Sequence, residues 1–213
     1  MDSYERPAQG VVIEREIEIK RSRFITLISR VTTEEEARAF IAGARERFPD
    51  ARHHCSAYML HVDKANPVER SSDDGEPSGT AGKPMLDVVR GSGLLDVCAV
   101  VVRYFGGIKL GAGGLVHAYG GAVSEAIEDV PRVTRSRRQL ADLAVGHAEA
   151  GRLEAELRAR GYHVVDTQYG AQVQLRLAIA PGTVDALNAE LASLTQGRVE
   201  AHEAGDTWVE SNT

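Results

Sequence analysis

Val97-Cys-Ala-Val-Val-Val102 runs directly into Arg103-Tyr-Phe-Gly-Gly-Ile-Lys-Leu-Gly-Ala-Gly-Gly114, and the two halves of this stretch read differently. The first is a nearly continuous apolar run of strand length, suited to a central strand buried on both faces. The second places five glycines within nine residues, Gly106 to Gly114. Beyond it Leu115, Tyr119, Ala122, Val123 and Ile127 recur at helical spacing. Strand, glycine-rich turn and helix form one unit, and the rest of the chain is arranged around it.

Upstream, Val11, Ile13, Ile17 and Ile19 alternate mostly with charged residues. Residues 11–20 are therefore expected as a half-buried strand, with 23–28 as its neighbour after a short turn. Thr32-Thr33-Glu34-Glu35-Glu36 holds two overlapping capping boxes, each Thr with a Glu three residues on. Ala37, Phe40, Ile41, Ala44 and Phe48 then follow at helical spacing until Pro49. Residues 55–62 read as a strand. Residues 63–82 form a long polar stretch expected as a loop, with a short helix carried by Met85, Leu86, Val88 and Val89 after Pro84.

Downstream the pattern restarts. Leu140, Leu143 and Val145 predict a strand, and Leu153 and Leu157 a helix ended by Gly161. Residues 162–169 and 171–180 predict two strands meeting near Gly170. Pro181-Gly182-Thr183 opens a helix on Val184, Leu187, Leu191 and Leu194, and 198–202 fit a last strand. This βαββαβ order in about 70 residues is the ferredoxin-like plan. The expected class is α+β: an N-terminal α/β domain over 1–130, a linker over 131–137, the ferredoxin-like domain over 138–206 and a tail over 207–213. Arg132, Arg135, Arg137 and Arg138 make the linker region basic. It reads either as a solvated connection or as a strip touching nucleic acid.

Hydrophobic content of 43% with 26% charged residues suits a soluble globular chain, and the 5% of aromatics leaves the core to Val, Leu, Ile and Ala. A net charge of −6 excludes a uniformly basic coat for DNA binding, although a local basic groove acts through its own field. Cys55 and Cys98 lack a metal spacing and read as buried free thiols of a reduced compartment. The polar start, Met-Asp-Ser-Tyr-Glu-Arg-Pro, lacks a signal-peptide core, and no run reaches the roughly 18 apolar residues of a membrane span. A cytoplasmic protein without membrane association is expected.

Two stretches are candidates for function. In the first, Gly106, Gly107, Gly111, Gly113 and Gly114 let backbone N–H groups converge, with Arg103 and Lys109 supplying full charges beside a helix amino end. These are the ingredients of a phosphate or nucleic-acid site. The spacing matches neither a P-loop nor the dinucleotide fingerprint, and the same glycines also suit a tight turn with close packing. The second is Ser71 to Pro84. Here Asp73, Asp74, Glu76, Ser78, Thr80 and Lys83, with His54 nearby, could wall a ligand, or could cap the turns of a rigid connection. The calcium-loop spacing is absent, so no metal is expected. Of His53 and His54, adjacent on a strand, at most one is expected to face that loop. No nucleophile-elbow triad occurs, and no catalytic residue or cofactor is expected.

Taken together, these motifs resemble the signature of the YigZ/IMPACT family. The matching residues are Ser22-Arg23-Phe24, His54-Cys55-Ser56-Ala57-Tyr58, Asp73 through Pro84, and Arg103 through Leu115. The resemblance covers about residues 15 to 127 and implies a two-layer N-terminal domain like the second domain of ribosomal small-subunit protein five. It also implies a ferredoxin-like C-terminal domain similar to one in elongation factor G. Eukaryotic relatives act in translational control, through an additional domain absent from this sequence; bacterial members resemble nucleic-acid or ribosome-associated proteins. RNA or the ribosome is therefore the expected partner, and the alternative is an enzyme or binder of a small phosphorylated or anionic ligand in a cleft between the glycine-rich loop and the Asp73–Pro84 loop. The chain departs from the family at His117, where Arg is usual, and at Val102, where Thr is frequent. A His so placed would make phosphate binding sensitive to pH near its ordinary value of about 6.5.

Overall fold

A computed structural model of the chain describes residues 2–212. Met1 and Thr213, the outer ends of the expected first domain and tail, lie outside the described residues. In chain order the elements are β1 Ser3–Pro7, β2 Val12–Ile19, β3 Ser22–Arg30, α1 Glu34–Arg47, β4 His53–Leu60, β5 Val68–Ser72, α2 Gly82–Gly91, β6 Val97–Tyr104 and α3 Gly111–Ile127. They continue with β7 Arg132–Val145, α4 His147–Ala159, β8 His163–Tyr169, β9 Val173–Ile179, α5 Val184–Thr195 and β10 Ala201–Asn212. The chain divides into two units, Ser3–Thr134 and Arg135–Ser211.

In the first unit the sheet runs β2-β3-β6-β4-β5 with antiparallel neighbours throughout. β6 is central, as its apolar run requires, and Val97 to Val102 are all completely buried. Its two faces have different partners. Cys98, Val100 and Val102 pack with Ile25, Leu27 and the α1 residues Ala37 and Ala44. On the opposite face Phe24 meets Tyr119 of α3 edge-on, with ring centroids 5.3 Å apart. Helices therefore cover both faces, and α1 adds a third layer to the two expected from the sequence. Each Val, Leu or Phe buried in these layers contributes about 1.5–3 kcal/mol.

α1 begins where its caps dictate. Thr33 accepts from Glu36 N at 3.1 Å, while Glu36 reaches back to Thr32 N at 2.6 Å and Thr32 Oγ1 at 2.9 Å. β2 and β3 are joined by Lys20 and Arg21 alone, with φ of 48° and 64°. A two-residue hairpin turn of this hand needs positive φ at both positions, a conformation that costs side-chain-bearing residues energy.

Four expectations are corrected. The loop expected over 63–82 contains β5, an edge strand on β4. Glu69, Arg70 and Ser71 gave it no apolar period, because an edge strand facing water needs none. α2 starts at Gly82, ahead of Pro84; a proline within the first turn removes an N–H that has no intrahelical partner. The stretch expected as a linker, 131–137, lies within β7 apart from Pro131, and the expected tail from 207 continues β10 to Asn212. β1 escaped notice among polar residues. Buried Tyr4 and Arg6 tie it to Asp96, at 2.7 and 3.0 Å.

In the second unit the strand order is β10-β7-β9-β8, with α4 and α5 packed on one face. This is the ferredoxin-like arrangement of a βαββαβ chain. Leu143, Leu175, Leu177, Leu157, Leu187 and Leu191 form its core. The other face is polar, with Arg176 forking onto Asp142 at 2.6 and 2.7 Å.

Candidate functional site

The Asp73–Pro84 segment is held by its own carboxylates. Asp73 Oδ1 accepts from Ala81 N at 3.0 Å and Gly82 N at 2.8 Å, and Oδ2 accepts from Gly79 N at 2.8 Å. No side chain next to the start of α2 caps it, so Asp73 caps it from across the loop. Burial opposes ionisation of Asp73, but the three N–H bonds outweigh it and hold the carboxyl below its ordinary range. Asp74 bonds Arg45 at 2.7 Å and accepts from His54 N at 2.6 Å. Thr80 Oγ1 donates to Pro77 O at 2.6 Å. His54 is buried and its Nε2 donates to Phe48 O at 3.0 Å.

Glu76 turns the other way, into the fold. Its Oε1 accepts from Arg103 Nη1 and from the Tyr119 hydroxyl, each at 2.7 Å. The two charged side chains are 7% and 4% exposed, so the pair is almost wholly desolvated. Ser22 Oγ lies 3.5 Å from Arg103 Nη2 and accepts from Gly106 N at 3.3 Å. The Arg103 guanidinium also lies 5.5 Å from the Phe24 ring and 5.7 Å from the Phe105 ring, and its buried Nε–H has no hydrogen-bond partner. Burial pushes the Tyr119 hydroxyl up, reinforced by Cys55 and Glu76. Burial likewise pushes the Cys55 thiol up to about 12. Both groups stay protonated near neutral pH, so neither supplies an anionic nucleophile.

Beyond this cluster opens a cleft of about 320 Å³. Phe105, Leu110, Ala112, Leu115 and Pro77 supply its apolar wall, and Arg52, His53, Glu76, Arg103 and Lys109 its polar groups. Gly111 lines it as well and begins α3 with φ +75°. This helix of 17 residues has no side-chain cap and no acidic residue in its first turn. Gly111, Ala112 and Gly113 are exposed there, leaving first-turn N–H groups open to a ligand. Gly106 has a different duty: a Cβ there would stand 1.9 Å from Arg21 O.

Of the residues singled out from the sequence, Glu76, Arg103, Lys109 and Gly111 line this one cleft, while Gly113 and Gly114 follow in the first turn of α3. Asp73, Asp74, Ser78, Thr80, Lys83, His54, Gly106 and Gly107 do not line it. The strand parity of the two histidines puts His53 in the cleft and His54 in the core. Arg52, Phe105 and Tyr119 join the site without a signal of their own among the sequence candidates. Phe105 was visible as an aromatic inside the glycine-rich motif, whereas Tyr119 reads in sequence as one more core position of a helix. His117 is exposed at the seventh position of α3, a turn past the amino end, and does not line the cleft. Of the basic strip, Arg132 bonds Glu5, Arg137 bonds Asp206, and Arg135 lies over the Trp208 ring. Among the described residues no group of three or more His, Cys, Asp or Glu is placed to hold a metal ion, and no helix is long and apolar enough to cross a membrane.

The residues that line the cleft, from Arg52 to Leu115, all fall within residues 20–127, and the family model described as the Impact N-terminal domain matches this same range. The chain belongs to the IMPACT family. A domain of unknown function matches residues 143–198 of the second unit. The IMPACT family member YvyE of Bacillus subtilis is 41% identical over 201 residues, covering 92% of this chain and 90% of its own. The family member YigZ of Escherichia coli is 40% identical over 200 residues, covering 94% and 97%. A crystal structure of a protein described as hypothetical aligns over 94% of this chain and 97% of its own, with 39% identity and a TM-score of 0.62. The similarity to these IMPACT relatives spans both units.

Proposed function

We propose that this IMPACT family member is a cytoplasmic, translation-linked regulator that binds RNA or the ribosome through the amino end of α3. One observation carries the reading. The uncapped glycine-rich first turn of α3 shares a cleft with Arg52 and Lys109, while the carboxylate beside them, Glu76, is neutralised by Arg103 and bonded by Tyr119. Phosphate oxygens are the ligand such a site suits, because N–H groups, helix dipole and whole charges converge without a competing free anion. Lys20 and Arg21 extend the basic character, since the Arg21 backbone abuts Gly106. The translation link is supported by family membership.

Fluorescence anisotropy of labelled RNA against salt tests this. Affinity is expected to fall steeply as salt rises, and Lys109→Gln to reduce the log–log slope by about 0.7–0.9. No RNA binding even at low salt would sink the proposal. The apolar wall of the cleft supports a second reading, a small phosphorylated ligand without RNA, because 320 Å³ lies within the range of small-molecule sites. A thermal shift with inorganic phosphate or a mononucleotide in a protein that ignores RNA would favour it.

A further inference from the structure

Resting on the phosphate-binding reading above, we infer that the cleft seats one unstacked base of single-stranded RNA against Phe105, with its adjoining phosphates on the first turn of α3. Phe105 is 51% exposed, although a Phe side chain this large is ordinarily buried. It stands at the mouth of a cleft whose wall is mostly apolar, with Leu110, Ala112 and Leu115 behind it. A phosphate alone gains nothing from such a wall, because apolar surface does not solvate an anion. A nucleotide supplies both chemistries: a flat ring for the apolar part and a charged backbone for the rim.

The rim is basic in the required places. Arg52 and Lys109 line the cleft, and Lys20 and Arg21 form the hairpin turn packed against Gly106. None of the four takes part in an ion pair among the described residues. Both residues adopt the positive φ that a two-residue turn requires, which keeps the turn short beside the glycine loop. Arg103 lies 5.7 Å from the Phe105 ring, close enough to orient it. A duplex keeps its bases stacked inside and cannot offer a ring to a cleft of about 320 Å³. Base stacking on an exposed aromatic, beside a groove that tracks the backbone, is how single strands are held without sequence readout.

The test uses three labelled RNAs of one length: a single strand, its duplex, and an abasic strand carrying phosphates without bases. The full chain is expected to bind the single strand at least about 5-fold tighter than the abasic strand. Phe105→Ala is expected to lose about 5- to 100-fold on the single strand and nothing on the abasic one. Phe105→Leu, which keeps the apolar bulk but not the ring, is expected to lose nearly as much. Equal affinity for single strand, duplex and abasic strand, or single-strand binding untouched by both variants, overturns the stacking inference while leaving phosphate binding intact. Failure of all three RNAs to bind removes the phosphate-binding reading itself.

Discussion

Replacing Glu76 by Gln tests the reasoning most directly, because it removes one charge and almost no volume. The Gln carbonyl still accepts from Tyr119, so the neighbouring hydroxyl keeps its bond. What changes is Arg103, whose side chain is 7% exposed and whose partner at 2.7 Å would no longer be an anion. An uncompensated buried guanidinium costs about 3–5 kcal/mol. In a chain of this size each kcal/mol moves the melting temperature by about 2–4 °C, so the expected loss is roughly 6 to 20 °C. Far-UV circular dichroism in a thermal or urea series follows both units. Trp208, the only tryptophan, lies in β10 and gives a separate reading of the second unit. The destabilisation is expected in the dichroism signal first. The double variant Glu76→Gln with Arg103→Met, which removes both charges and keeps the acceptor for Tyr119, is expected to recover most of the loss. A Glu76→Gln protein within about 1 kcal/mol of the parent would refute the claim that the pair is desolvated.

Three further outcomes are expected. The Asp73 carboxyl is held below its ordinary 3.8 in the folded chain, so its stabilisation is complete above that value and is lost as pH falls through the lower folded one. Asp73→Asn should cost on the order of 2 kcal/mol at neutral pH and flatten the acid limb of the stability curve below about pH 4; an unchanged acid limb would contradict the capping role. Burial raises both thiols, Cys55 to about 12. A thiol reagent at pH 8 should therefore label neither until the chain unfolds, and rapid labelling of the native protein would count against burial. By contrast Asp142→Asn, which breaks a half-exposed pair with Arg176 on the polar sheet face, should cost under about 1 kcal/mol by urea denaturation.

Elements that bury a face were legible, and elements that do not were hidden. β6 announced itself through an unbroken apolar run, and α1 through its Thr–Glu caps and 3.6-residue period. β5 and the first half of β7 carry Glu69, Arg70, Arg135 and Arg137 instead. Their pairing is a backbone property that side-chain pattern does not report. The glycine-rich turn reads as a place of close approach or of anion binding; Gly106 makes the close approach, to Arg21 O, and Gly111 lines the cleft. Asp73 could not be read as a helix cap, because it stands eight and nine residues ahead of the N–H groups it serves. Strand parity promised only that His53 and His54 would part company; which one met the cleft was settled by the register of β4 on β6.

The 1.9 Å approach of a would-be Cβ at Gly106 to Arg21 O also has a consequence for how such a sequence can drift. Two segments 84 residues apart, joined through Ser22 and Gly106, share one steric constraint. Position 106 is closed to every other amino acid while the hairpin turn keeps its two residues, and the turn cannot lengthen toward the glycine loop without displacing it. Change at either place is therefore admissible only as a paired event. Lineages that escape the glycine are expected to carry an altered turn at Lys20-Arg21, and those that keep the short turn to keep the glycine.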